Sequence, residues 1–317
     1  MTLNPLAEFL APLHDQAILI TGADGMLGRA FVEALAPVRD RVRLRALSRY
    51  ELDVTDQGAV MSEARHRPNL ILHCAALSIA DECEQQPARA RLVHVEGTRN
   101  IVRLAVDAGA RIFYPQSFLI FDGSELPVTE STTPAPTHVY GRVKLEAEQL
   151  VLAEVPGSLV ARLAGFFGGD DKDKNFVGKF VRHIDKVIRD GGTTMDVGDR
   201  TWQPTYTLDI ARNVLLLLAL RREGIYNVSA LGEATFFDVA DACVRELGLS
   251  SALSLRPVSS EVFDLAEAAR RPKRVVMTNE RLVHEGLERQ RPWQHALCEY
   301  LQRPYFDQFR REPIDRQ

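Results

Sequence analysis

The sequence predicts an α/β fold, a doubly wound parallel sheet followed by a smaller mixed α/β lobe, and three observations predict it. Short β-branched apolar runs alternate with segments of helical period over residues 17–165. Parallel strands need long crossovers, and such helices supply them. Beyond residue 165 the alternation becomes irregular, as in a lobe of mixed elements packed on the first domain with a cleft between them.

Taken in order, Ala17–Ile20, Val42–Leu47, Leu70–Leu72, Arg111–Tyr114 and Ser158–Ala161 read as strands. Gly28–Leu35, Ala88–Ala108 and Tyr140–Glu154 read as helices between them, and Pro87 suits a first helical position because its missing N–H costs nothing there. Residues 1–16 form an N-terminal extension, 17–165 the nucleotide-binding domain, and 166–317 mostly the second lobe, with some segments returning to the first. In that lobe Ile210–Leu220, Phe237–Leu247 and Pro292–Leu301 read as helices, and Gly224–Val228 and Leu253–Pro257 as short strands. Thr129–Thr137 is a Pro- and Thr-rich loop, and Asp170–Lys174 a charged loop expected to act as a mobile flap.

Bulk properties exclude several classes. Hydrophobic residues make up 45% and charged residues 26% of the 317, the balance of a globular chain. A net charge of -4 gives no reason to expect nucleic acid or an anionic membrane as partner. Cys74, Cys83, Cys243 and Cys298 lack paired spacing, and no histidine pair has ligand spacing, so reduced thiols and no metal are expected. The first residues lack a basic segment leading into a long apolar one, and Val214–Leu220 is too short to span a bilayer, so a cytoplasmic location is expected.

The strongest local signal is Thr21-Gly22-Ala23-Asp24-Gly25-Met26-Leu27-Gly28, which follows a strand and opens a helix. Gly22 and Gly25 let backbone N–H groups approach a pyrophosphate, Gly28 lets the helix pack on the sheet, and Met26 and Leu27 open the helix whose positive end faces the phosphates. This is a Rossmann-like dinucleotide signature. About twenty residues on, where an acid often accepts ribose hydroxyls, the chain has Ser48-Arg49. A guanidinium pairs with a phosphate and a serine repels none, which favours NADP(H) over NAD(H). Asp53 and Val54 are placed at the adenine edge, and Cys74, Ala75 and Ala76 are small enough for a nucleotide to pass close to the backbone.

Tyr140 and Lys144 lie at i and i+4 on one helical face, where an ammonium lowers the pKa of a phenol. Ser117 closes a strand at its carboxyl end, where open α/β sheets bind ligands. Together the three form a candidate set for proton transfer to a carbonyl oxygen, with Tyr140 and Lys144 also touching the cofactor.

These residues resemble the Ser/Thr–Tyr–Lys set of the extended short-chain dehydrogenase/reductases. Further segments are similar to the dTDP-4-dehydrorhamnose reductase family: His73–Ala76, Phe121-Asp122-Gly123, Val139–Arg142, Asn175-Phe176-Val177, Gln203–Thr207 and Arg270-Arg271-Pro272. The resemblance implies an NAD(P)H-dependent reductase of a nucleotide-activated keto-sugar, a 4-keto-6-deoxyhexose first of all, in a chain that can form a homodimer. It implies that Ser117, Asn175, Gln203, Tyr206 and Arg270 face the nucleotide-sugar substrate. Some relatives carry magnesium, but no acidic cluster here transfers that site. Two alternatives share the motifs: an epimerase or dehydratase with bound NAD, and a regulatory subunit like methionine adenosyltransferase beta. The chain also departs from the family. Phe118-Leu119 replace an Asp-Tyr pair, Gly165 replaces a tryptophan expected in the sugar pocket, and His94 replaces a common asparagine. Trp202, just ahead of Gln203, is a candidate for the cleft wall.

Overall fold

The computed structural model describes residues 8–264 and 267–311. Six parallel strands form the central sheet: β1 (Ala17–Thr21), β2 (Arg43–Leu47), β3 (Leu70–His73), β4 (Arg111–Ser117), β5 (Leu159–Leu163) and β6 (Gly224–Val228). Their order is β6-β5-β4-β3-β1-β2, with every neighbouring pair parallel. The order reverses between β1 and β3, where Thr21 lies opposite His73, and such a reversal opens a crevice beyond the carboxyl ends of the strands.

The strands are apolar on both faces because helices cover both. On one face Ile18, Ile20, Leu70, Leu72, Phe113 and Leu159 pack under α1 (Met26–Ala34). The alternate residues Leu19, Ile71, Ile112, Tyr114 and Val160 point to the other face, under α2 (Gly97–Ala108) and α3 (Val139–Glu154). Gly109, at φ 64°, closes α2 in the left-handed conformation that favours glycine. Leu10 and Leu13 of the N-terminal extension are buried in the first of these cores.

The second half supplies α4 (Phe176–Arg189), α5 (Thr207–Ala219), α6 (Phe236–Glu246) and α7 (Trp293–Leu301). α6 starts on a capping box between Thr235 and Asp238. Small sheets link these helices, pairing Thr194–Gly198 with Ser254–Val258 and Phe166–Phe167 with Thr205–Tyr206. Gly224–Val228, placed by its sequence position in the smaller lobe, is instead the edge strand β6 beside β5. α5 likewise returns to pack on α1, and its leucines join the same core. Local pattern identified both elements, but which sheet they join is decided by chain crossing.

The Asp170–Lys174 loop is tied down at several points. Arg303 holds Asp170, Arg29 holds Asp171 at 2.7 Å, and Asp173 is buried. Among the described residues no helix is long and apolar enough to cross a membrane, and no group of three metal-ligating side chains is gathered.

Candidate active site

A cleft of about 390 Å³ opens at the reversal point between β1 and β3. Gly22, Gly25 and Met26 form one side, Cys74, Ala75 and Ala76 the floor, and Arg49, Asp53 and Val54 the far edge. The glycines are required sterically. Gly22 has φ 63°, and a Cβ there would lie 2.8 Å from the Ala75 backbone. A Cβ on Gly28 would lie 2.4 Å from the Gly22 carbonyl oxygen. Gly28 and Leu27 face the sheet and not the cleft, so they shape the turn without lining it. Ser48 does not line the cleft either: its N–H and hydroxyl both donate to the Glu51 carboxylate at 2.8 and 2.7 Å.

Other residues of the cleft escaped the sequence reading. Lys172 and Lys174 reach it from the tethered loop, and Arg89 reaches it from the helix opened by Pro87, paired there with Glu82. Their distance in sequence from the glycine turn leaves no local signal. Cys74 is no nucleophile in this setting, because burial pushes its thiol up to about 12.

The chemical groups sit beside the cleft at the carboxyl end of β4. Ser117 ends that strand, opposite Leu163 of β5. Its Oγ accepts a hydrogen bond from the Leu119 N–H at 3.2 Å, which leaves its proton free to be donated. Tyr140, half-buried in the first turn of α3, lies near enough to Ser117 for the serine hydroxyl to favour its phenolate. His138 caps that turn by accepting from the Gly141 N–H at 3.0 Å through Nδ1. One turn on, Lys144 is only 4% exposed. Its ammonium donates to the Pro115 carbonyl at 2.5 Å and lies 3.9 Å over the Tyr114 ring.

Burial governs both titrating groups. The Tyr140 phenol is pushed up to about 12, against the opposing hydrogen bond from Ser117. The Lys144 ammonium is pushed down to about 7, partly offset by Glu148 below it. The lowering of the phenol expected from a neighbouring lysine is therefore outweighed here by desolvation, and the phenol keeps its proton at neutral pH.

Beneath Lys144 lies a closed polar network. Gln116 Nε2 donates to the Lys144 carbonyl and to Glu148, both at 2.9 Å, and Arg162 donates to Glu148 at 2.7 Å. His94 stands on a single π turn, Leu92–Glu96, with its ring edge-on to Tyr140 at 5.5 Å. Its Nε2 donates to the Leu77 carbonyl at 2.9 Å, joining the tyrosine to the segment that floors the cleft. Burial lowers its pKa to about 3, so it is neutral.

The residues expected to face the sugar scatter. The Gln203 amide is buried and spent on backbone, accepting from Met277 N–H at 2.7 Å and donating to the Met277 carbonyl at 3.0 Å. Tyr206 is also buried, stacked on Phe167 at 5.5 Å, with its hydroxyl accepting from Arg303. Both side chains are spent on contacts within the fold, and neither lines the cleft at the glycine turn. A buried amide or phenol must satisfy its polar atoms wherever the fold offers partners, and sequence does not reveal which. Asn175 precedes α4 and donates to the Phe166 carbonyl at 2.8 Å. Arg270 is exposed, with its carbonyl accepting from Thr137 in the loop ahead of α3.

The space beside Gly165 is filled by another aromatic. A Cβ on Gly165 would lie 2.6 Å from the Trp202 ring, which occupies that volume beside Phe118. Trp202 is 7% exposed, and its Nε1 has no partner among the described residues.

Comparison with known proteins agrees with this architecture. The family model described as the RmlD substrate binding domain matches residues 16–306. A dTDP-4-keto-6-deoxy-D-glucose reductase of Streptomyces niveus is 34% identical, over 89% of this chain and 95% of its own. A dTDP-4-dehydrorhamnose reductase of Streptomyces griseus is 36% identical, over 92% and 94%. Methionine adenosyltransferase 2 subunit beta of Xenopus tropicalis is 33% identical, over 89% and 86%. The crystal structure of dTDP-4-dehydrorhamnose reductase from Bacillus anthracis in complex with NADP superposes with a TM-score of 0.82 at 26% identity, covering 90% of this chain and 99% of that one.

Proposed function

This chain belongs to the RmlD substrate binding domain family, alongside dTDP-4-dehydrorhamnose reductases, and from that premise we propose that it reduces the keto group of a nucleotide-activated 4-keto-6-deoxyhexose with NADPH. The observation that carries the reading is the meeting of Ser117, Tyr140 and Lys144 at the carboxyl ends of the strands, beside a cleft built on a glycine turn.

The cleft fits a dinucleotide. Side chains are excluded at Gly22 and Gly28, so the turn brings bare backbone N–H groups to the mouth of α1. Arg49 at the far edge suits the adenosine phosphate of NADPH, and Lys172 and Lys174 add positive charge over the phosphates. When bound, the dihydronicotinamide supplies a hydride to the substrate carbonyl carbon. Tyr140 holds a proton at neutral pH and delivers it to the carbonyl oxygen as charge develops there. The Ser117 hydroxyl, with its lone pair engaged by Leu119, donates a hydrogen bond to the same oxygen. Lys144, fixed by Pro115, stabilises the phenolate that Tyr140 leaves. On the substrate side Trp202 and Phe118 provide an apolar wall suited to a deoxygenated sugar carbon, and the exposed Arg270 suits the nucleotide diphosphate.

The test is NADPH oxidation against a panel of nucleotide-linked 4-ketosugars. Turnover with at least one is expected. Absence of turnover on the whole panel, with co-purification of a methionine adenosyltransferase, overturns the reading in favour of a subunit role.

A further inference from the structure

A second cavity, of about 460 Å³, lies at the amino ends of β1 and β2, away from the catalytic groups. The strands are parallel, so the two sites are separated by the length of β1, about 16 Å for five residues. Its lining includes Arg39, Arg43, Arg45, Glu63, Arg65 and Arg67. Three elements bring them together: the turn Ala36–Arg41, strand β2, and the turn Glu63–His66 with the residue after it.

The charges in this lining do not balance. Glu63 is its one carboxylate, and both its oxygens are taken by Arg45 at 2.7 and 2.9 Å. Arg65 donates to the His66 ring, and among the described residues none of Arg39, Arg43, Arg65 and Arg67 has a carboxylate partner. What distinguishes this lining is that four such guanidiniums gather around one cavity. The chain carries a net charge of -4; elsewhere Arg162, Arg291 and Arg303 are held by carboxylates, while Arg103, Arg111 and Arg289 contact only amide or carbonyl oxygens and stand apart from one another. Charged side chains on an edge strand discourage edge-to-edge pairing, and that accounts for Arg43 on β2. It does not account for Arg39, Arg65 and Arg67, which arrive from other elements.

Guanidinium groups of one sign around a concave wall focus their field into it, and their planar forks match phosphate oxygens. The volume is that of a small-molecule site, in the range of roughly 300–1,000 Å³. We propose that this cavity binds a small polyphosphate anion, an inorganic chain or the phosphates of a nucleotide, at a site separate from the cofactor cleft.

Calorimetric titration of the full chain with inorganic tripolyphosphate, and in parallel with ATP, at about 50 mM salt tests this. One equivalent of tripolyphosphate is expected to bind. The Arg39→Glu/Arg43→Glu pair is expected to weaken it by at least about tenfold, and Arg65→Ala/Arg67→Ala, from the opposite wall, to weaken it as well. Arg49→Glu, at the cofactor cleft, leaves it unchanged. Tighter binding of ATP than of tripolyphosphate assigns the site to a nucleotide, and equal or weaker binding assigns it to the phosphate chain alone. Failure of the unaltered protein to bind, binding that survives both double substitutions, or binding lost with Arg49→Glu overturns the proposal.

Discussion

The ammonium of Lys144 donates to the carbonyl of Pro115 at 2.5 Å, two residues before Ser117 on the same strand. Helix α3 is thereby pinned to β4 at the point where the serine and tyrosine meet. The contact makes Lys144 a strut as well as a charge, and its burial has measurable consequences.

Replacing the acid should separate chemistry from binding. Tyr140→Phe keeps the ring against His94 and removes the hydroxyl. Turnover should fall by about 10²–10⁴ while NADPH affinity stays unchanged. Steady-state kinetics with a fluorescence titration of NADPH checks this, and full turnover in the variant contradicts the assignment of Tyr140.

Lys144 should lower stability in a defined pH window. Its pKa falls from 10.5 to about 7 on folding, because burial disfavours the ammonium. Above the unfolded value the amine is neutral in both states and costs nothing. As the pH falls towards 7 the unfolded chain takes up a proton that the folded chain refuses, so stability declines and is then constant below that point. Lys144→Met should therefore be more stable than the parent by roughly 2–4 kcal/mol near pH 6, with the gain fading towards pH 10.5. Urea unfolding at several pH values measures the difference, and a gain independent of pH refutes it.

The network under Lys144 should be costly to break and cheap to replace. Glu148 and Arg162 have side chains only 3% and 4% exposed. Glu148→Gln strands the guanidinium and should cost about 3–5 kcal/mol in chemical denaturation. Adding Arg162→Met should recover most of that loss, because it removes the charge left without a partner.

Two glycines should respond differently to a methyl group. Gly28→Ala meets the Gly22 carbonyl oxygen at 2.4 Å and Ala23 at 2.7 Å, all backbone that cannot yield cheaply. It should weaken NADPH binding by tenfold or more, or unfold the turn, at a cost on the order of 1–3 kcal/mol. Gly109→Ala meets nothing within 4 Å and suffers only its φ of 64°. About 1 kcal/mol of stability and unchanged NADPH affinity are expected there. Equal effects at the two positions on cofactor affinity contradict the close-packing role of Gly28.

The ring that fills the space beside Gly165 should be transferable between positions 202 and 165. Gly165→Trp alone collides with the Trp202 ring, and turnover should drop with stability. Combining it with Trp202→Ala returns an aromatic to the same volume, so the double variant should retain more activity and stability than Gly165→Trp. Strict additivity of the two effects in a double-mutant cycle shows that the two positions do not share that space.

The sequence by itself determined what depends on neighbours along the chain. The alternation of apolar runs and helical segments specified the strands β1–β5 and the helices α1, α2 and α3, while the short helix Gln57–Ser62 between β2 and β3 was not legible. The spacing of Gly22, Gly25 and Gly28 specified the turn, and one helical turn between Tyr140 and Lys144 specified their shared face. Tertiary structure decided everything that required chain crossing: that Gly224–Val228 joins the main sheet, that Gln203 and Tyr206 turn inward, and that Trp202 fills the space at Gly165. It also decided the balance of charge, since burial raised the Tyr140 phenol and lowered the Lys144 ammonium by more than their neighbours restored. Periodicity and backbone sterics act over a few residues and are written locally, whereas desolvation and the satisfaction of buried polar atoms depend on whatever the whole fold brings close.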